Sequence, residues 1–235
     1  MKTRVIFTIV ILAAAAFFLT APGELAGQED FCRTPAKLFA EVSAFNDDFF
    51  QGDLDGELVI GDPDRAYFIP RLSPHVGFGL SFGGMHKSGT WSVSVNRSVH
   101  SVRFQGVKSD CASNMLEVRG RGYLLKTTPI APYLLLGFNV PWLKVRNGAI
   151  QGNARRDASY LGLGVTSGAG ITARLGSRLS LNGGIVYRFM AYLYTSGAGN
   201  SRDVTNLYVD RTGPKQKGFL KAVTRGLELG VSYTF

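Results

Sequence analysis

Few residues of this 235-residue chain have side chains suited to chemistry. Ser98 and His100 stand two apart and Glu117 follows on the next extended segment. A serine, an imidazole and a carboxylate are the parts from which an activated nucleophile is built. Polar residues near the rim of a strand-built protein have the same composition, and on that reading the chain is not an enzyme and has no catalytic residue. His75 and His86 fall at strand ends and add nothing to the constellation. Asp53-Leu54-Asp55-Gly56-Glu57 lies in an acidic stretch with Asp47, Asp48, Asp62 and Asp64, but its spacing departs from the EF-hand loop pattern, so a solvated loop is expected. Two cysteines, Cys32 and Cys111, and three histidines are too few for a disulfide scaffold or a zinc ribbon. No metal and no cofactor is expected.

Composition narrows what could hold these residues. Glycine is 29 of 235 residues, well above the usual share of about 7%, and charged residues are only 18% against about 25% in a typical soluble domain. That balance favours close-packed strands over helices. Lys2 and Arg4 precede an apolar run from Val5 to Thr20, followed by small and helix-breaking residues. Residues 1–27 therefore read as a secretory signal peptide, too short in their apolar part for a membrane-spanning helix. Its removal leaves 24 basic against 16 acidic residues, about +8. Such a charge would suit nucleic acid, but export excludes that partner and points to anionic envelope surfaces.

The remainder, 28–235, alternates with period two. Leu227, Leu229, Val231, Tyr233 and Phe235 share one face and Glu228, Gly230, Ser232 and Thr234 the other. Residues 178–192 and 161–175 repeat the pattern about a Gly176-Ser177 turn, and similar stretches occupy 76–83, 91–104, 116–124 and 133–145. The phase of 91–104 is less clean after Arg97, where a bulge is expected. Several strands run well beyond the 5 to 6 residues usual in a soluble sandwich. The face opposite the apolar one carries Glu117, Arg119, Arg121, Arg174, Arg188 and Glu228, which a dry sandwich core could not hold unpaired. A membrane barrel turns its apolar face to lipid and can hold such charges as a lumen network.

A cleavable signal, these strands, a tight Leu175-Gly176-Ser177-Arg178 turn and the ending Leu-Gly-Val-Ser-Tyr-Thr-Phe resemble the small outer-membrane barrels of the OmpA/OmpX-like superfamily, barrel-only members, over about residues 74–235. The resemblance implies an all-β, eight-stranded antiparallel up-and-down transmembrane barrel in the outer membrane of a Gram-negative-type bacterium. It also implies that Tyr233 and Phe235 resemble the signal read by the barrel-assembly machinery. The Ser98, His100 and Glu117 set resembles the triad of outer-membrane lipid A deacylases only loosely, because that family has His-x-Ser where this chain has Ser98-Val99-His100.

Strand number in such barrels is even, so an eighth strand is needed before residue 73. Ala36–Asn46 fits, with Leu38, Ala40, Val42 and Ala44 on one face; the rival is a short helix capped by Thr34 and Pro35, which would move the strand to 57–72. A second register takes 202–211 as a strand instead. With Phe235 on the periplasmic side, Cys32 falls at the periplasmic end and Cys111 in an external loop at 105–112, so two unpaired thiols are expected; a bond would imply the second register or an N-terminal segment running up the lumen. Glu117 and Glu228 against four arginines predict a lumen with excess positive charge. Tyr133, Trp142, Tyr160, Tyr187, Phe189, Tyr192, Tyr194 and Tyr233 are placed in the interfacial girdles. External basic residues Arg146, Arg155, Arg156, Arg202, Arg211, Lys215 and Lys217 are candidate contacts for lipopolysaccharide phosphates.

Three classes of function remain. The first is a barrel with a structural or loop-mediated binding or adhesion role, embedded in outer-membrane lipid and lipopolysaccharide. The second is a narrow small-solute pore, favoured by inward glycines at 77, 79, 83, 162, 164, 168, 170, 184 and 230. The third is a lipid A-modifying enzyme or an accessory barrel of a secretion machine.

Overall fold

The structure is a computed structural model that describes residues 37–54, 58–62, 65–72, 75–86, 88–104, 107–125, 128–197 and 219–235. The expected signal peptide, Cys32, the 202–211 segment, and Lys215 and Lys217 lie outside the described residues.

Ten strands follow one another without a helix among the described residues: β1 (Lys37–Gly52), β2 (Leu58–Asp62), β3 (Arg65–Phe68), β4 (His75–His86), β5 (Gly89–Phe104), β6 (Val107–Tyr123), β7 (Ile130–Gln151), β8 (Ala154–Arg174), β9 (Leu179–Ser196) and β10 (Leu220–Thr234). Eight of them close a barrel. Each of β4 to β10 pairs antiparallel with its sequence neighbour, and β1 pairs with both β4 and β10. The eighth strand is therefore β1, at the Ala36–Asn46 position, and the helical alternative does not form. Antiparallel pairing on both sides of β1 also covers the edges of β4 and β10, which a helix would leave open.

The outward face is apolar because nothing inside the chain covers it. Leu38, Val42, Phe78, Leu80, Phe82, Val93, Val95, Leu116, Val118, Leu134, Phe138, Leu163, Ile185, Leu227, Leu229 and Val231 all remain exposed in the isolated chain. A continuous belt of this kind cannot face water and marks a lipid-facing wall.

The two ends of the barrel differ. Tight connections at 87–88, 124–129 and 175–178 lie with the start of β1 and the end of β10, where the Phe235 amide donates to the Leu38 carbonyl at 2.9 Å. At the other end the strands outrun the 9–11 residues that span a bilayer; β7 has 22 residues and β8 has 21. This projecting end also receives the 53–74 connection, whose β2–β3 hairpin pairs with β7 through Arg65, Ala66 and Tyr67 against Gln151, Ile150 and Ala149. The described residues of the stretch weighed as a barrel strand at 57–72 thus form a short hairpin, β2–β3, and a strap through 69–72.

The expected bulge after Arg97 is absent: β5 holds one register with β4 and β6 along its length, leaving Arg97 outward and His100 inward. Irregularities fall instead at Phe49/Gln51, Val145/Ala149 and Leu161/Gly162. Asn147 sits at the second with φ 53°, a left-handed conformation that asparagine tolerates better than most residues.

Candidate functional site: the lumen and the projecting rim

Alternation sends every second residue of the eight strands into the barrel, and those side chains form three tiers. At the short-turn end Tyr123, Ala131, Tyr133 and Leu135 pack together. The Arg121 guanidinium lies 5.3 Å from the Tyr133 ring centroid and that of Arg174 lies 5.7 Å from the Tyr123 ring.

The middle tier is ionic. Arg119 Nη1 lies 2.6 Å from Glu228 Oε1, and Arg119 Nη2 donates to Glu41 Oε1 at 3.1 Å. Arg121 grips Glu41 through both terminal nitrogens, at 2.6 Å each. Arg188 donates to Asp47 at 2.7 Å and to Glu228 at 3.2 Å. Glu117 takes Asn96 Nδ2 at 3.1 Å and stands 3.7 Å from Arg188 and 3.9 Å from Arg119. Asn182 bridges Glu41 at 2.7 Å and Ser232 at 3.1 Å, and receives Thr172 Oγ1 at 2.7 Å. Arg119 and Arg188 are 1% and 0% exposed. Charges this deeply buried persist only when paired, and here each arginine meets at least two carboxylates.

This arrangement corrects the expected excess of positive charge. Glu41 and Asp47 of β1 also point inward, so in the middle tier of the described residues four carboxylates face three arginines, while Arg174 lies over Tyr123 at the short-turn end. The outward Leu38, Ala40, Val42 and Ala44 carry the clear alternation of β1, whereas the acids lie on the opposite phase, mixed with Phe39 and Phe45.

The upper tier is apolar. Val102, Cys111, Leu143, Val145, Ala149, Ala158, Tyr160, Met190, Tyr192, Leu220 and Ala222 line the wall, and Tyr67, Ile69 and Leu72 of the strap fill the space between them. Tyr160 donates its hydroxyl to the Phe68 carbonyl at 2.9 Å, fixing the strap to β8. Fully burying one such apolar side chain stabilises by about 1.5–3 kcal/mol, so the strap's three anchors outweigh the modest net value of its one hydroxyl bond, about 1 kcal/mol. Cys111 lies in this tier on β6, buried, and not in an external loop. Tyr133, Tyr160 and Tyr192 are likewise inside the barrel rather than in the girdles. Trp142, Tyr187, Phe189, Tyr194 and Tyr233 do face outward.

The inward glycines do not line a free passage. A Cβ on Gly77 would strike the Phe45 ring, one on Gly79 the Asn96 carboxamide, and one on Gly170 the Tyr133 hydroxyl at 2.5 Å. These glycines are notches that receive the larger side chain of the register partner on the neighbouring strand.

Ser98 Oγ and His100 Nε2 are 2.9 Å apart and both are buried. His100 is packed edge-on against Phe49 at 5.7 Å and beside His75 at 5.8 Å. Glu117 is engaged six residues along β6 from the Cys111 position that pairs with His100, so the three residues do not assemble as a triad. An acyl ester of a membrane lipid would have to pass through the wall to reach this pair.

At the projecting rim Arg146, Arg155 and Arg156 are exposed. Lys144 joins them, 54% exposed and 3.4 Å from Asp157.

No protein-family model matches the chain, and no curated protein matches it. Among solved structures it is similar to a major outer membrane protein from Thermus thermophilus (12% identity, TM-score 0.50, covering 86% of this chain and 100% of that one). It is also similar to Neisserial surface protein A (14%, TM-score 0.49, 86% and 100%) and to the outer membrane protein OprG from Pseudomonas aeruginosa (17%, TM-score 0.47, 85% and 96%). The closed eight-stranded barrel, its apolar belt and the first of these likenesses show that the chain has the fold of small outer-membrane β-barrels. A shared fold leaves the activity open, because function resides in sites carried on a fold.

Proposed function

We propose that the protein is an outer-membrane barrel with a closed lumen that acts as a structural or binding element through its projecting end, oriented outward from the cell. The observation that carries this reading is the double filling of the lumen, an ionic tier beneath an apolar tier plugged by Tyr67, Ile69 and Leu72. Eight-stranded barrels have interiors about wide enough for side chains alone, and here side chains occupy that space. The short connections then belong to the periplasmic side and the long ones to the outside, as in bacterial barrels generally.

Arg146, Arg155 and Arg156 on the outer hairpin supply cationic contacts for lipopolysaccharide phosphates, joined from outside the described residues by Arg202, Arg211, Lys215 and Lys217. Tyr233 and Phe235 serve as the signal for the barrel-assembly machinery. Binding of lipopolysaccharide aggregates to the barrel in phosphatidylcholine nanodiscs tests the reading. Binding weakens as salt rises, since screening shortens from about 30 Å at 0.01 M to about 8 Å at 0.15 M, and Arg146→Glu/Arg155→Glu/Arg156→Glu removes most of it. Binding that ignores both salt and charge reversal overturns the reading.

A narrow pore is the second reading. It is favoured by buried polar atoms without a partner in the ionic region, among them Glu117 Oε1, Arg119 Nε and Arg188 Nε, which call for water in the lumen.

A further inference from the structure

The outward wall of β7, β8 and β9 carries a groove that the tiers of the lumen do not explain. Trp142 and Tyr194 form its sides and Leu161 its floor, with Ser159 and Ser196 at its upper edge. Trp142 and Tyr194 are 51% and 54% exposed, as is usual along the lipid-facing belt. The three floor and wall residues are aligned by register, Trp142 opposite Leu161 and Leu161 opposite Tyr194. A bulge makes this alignment. One extra residue, Leu193, lies between Tyr192, which pairs with Gly162, and Tyr194, which pairs with Leu161. Tyr192 consequently points into the lumen while Tyr194, two positions on, points out. The volume, ≈ 600 Å³, falls within the range of about 300–1,000 Å³ found for ligand sites.

The upper edge of this apolar groove is cationic. Lys144 is the register partner of Ser159, and lies two residues, about 7 Å, from Trp142 on the same face of β7. Arg146 continues that row, and Arg155 follows on the face of β8 that carries Leu161 and Asp157. Above the groove the three cations stand with two carboxylates, Asp157, which is shared between Lys144 and the Asn147 amide, and Asp110, exposed on β6 one step beyond the Cys111–Val145 pair. An apolar trough in a lipid-facing wall, with aromatic sides at the interface and a surplus of cations above it, is complementary to an acyl chain joined to a phosphate.

We infer that this groove is a specific site for a phosphorylated, acylated glycolipid of the outer leaflet, lipid A being its chemical class. One acyl chain lies along Leu161 between Trp142 and Tyr194. Its phosphate meets Lys144, Arg146 and Arg155 as charge-assisted pairs. The inference deepens the proposed function, resting on the reading that the projecting end faces outward and meets lipopolysaccharide.

The test embeds the barrel in phosphatidylcholine nanodiscs doped with bisphosphorylated lipid A and, separately, with dephosphorylated lipid A, and reads retained lipid by native mass spectrometry. The wild type retains the phosphorylated form over the other two by about tenfold, the factor that about 1.4 kcal/mol produces. Lys144→Glu/Arg146→Glu/Arg155→Glu abolishes the preference for phosphate while acyl occupancy remains. Trp142→Ala/Tyr194→Ala abolishes retention of both forms. Heat-modifiable migration on gels identifies variants that have folded. A second readout uses the two tryptophans of the chain, Trp91 and Trp142. In a Trp91→Phe variant, lipid A brominated in its acyl chains quenches the remaining emission more than brominated phosphatidylcholine at the same mole fraction.

Equal retention of all three lipids by the wild type, or retention unaffected by Trp142→Ala/Tyr194→Ala, overturns the inference. The two readings fail separately. Salt-dependent binding of lipopolysaccharide aggregates with no lipid A retained in the wall contradicts only the groove, whereas loss of both contradicts the outward-facing rim as well.

Discussion

Arg119 Nη1 and Glu228 Oε1 meet at 2.6 Å in the centre of the barrel, with Arg188 on the other oxygen of the same carboxylate at 3.2 Å. Glu228 therefore joins two arginines that reach it from β6 and β9. Glu228→Leu leaves both arginines one carboxylate short and costs about 3–5 kcal/mol, the usual loss on breaking one side of a buried pair. Leu229→Ala on the lipid face costs less, because lipid fills the space that the side chain leaves. Urea unfolding of both variants in bilayers measures the difference; equal stabilities would show that the lumen is wet enough to screen the charge.

Glu41 holds Arg121 at two contacts of 2.6 Å and Arg119 at 3.1 Å. Glu41→Leu is expected to destabilise by a similar amount, about 3–5 kcal/mol. The double variant Glu41→Leu/Arg121→Leu should be more stable than the sum of the single effects, since it removes an uncompensated guanidinium together with its partner. A strictly additive double-mutant cycle in the same unfolding assay would mean that the two side chains do not interact.

How far the sequence carries can be judged from particular strands. Residues 227–235 and 178–189 are legible because one face must suit lipid and the other a polar lumen, so their alternation is strong. In β1 the inward face mixes Phe39 and Phe45 with Glu41 and Asp47, which blurs the period and lets helical spacing compete. The position of Tyr160 and Tyr192 near strand ends is ambiguous, because a tyrosine there suits either an interfacial girdle or a plugged lumen. Strand phase decides for the lumen: Tyr160 alternates with the outward Leu161, and the bulge at Leu193 separates the inward Tyr192 from the outward Tyr194. The Leu193 bulge shifts side-chain phase by one residue and has no compositional mark.

The strap makes Cys111 a reporter. It is buried beneath Tyr67, Ile69 and Leu72 in the apolar tier. In a Cys32→Ser background, a membrane-impermeant maleimide added from the projecting side should leave Cys111 unlabelled for hours. Ile69→Asp/Leu72→Asp should release the strap and make labelling fast. Rapid labelling of the parent would show that the strap opens readily.

Phe235 stacks edge-on with Tyr233 at a centroid distance of 5.4 Å, and its amide ties the end of β10 to β1. Deleting Phe235 is expected to lower the amount of folded barrel in the outer membrane while export across the inner membrane continues. Fractionation followed by heat-modifiability gels makes the measurement, and wild-type levels of folded protein would contradict an assembly role.

The central claim is that the lumen is closed by its ionic tier and its strap, and planar-bilayer conductance of the reconstituted wild-type barrel tests it most directly. The account predicts no steady current at any applied voltage that the bilayer withstands. A reproducible ohmic conductance from the folded wild type would contradict it.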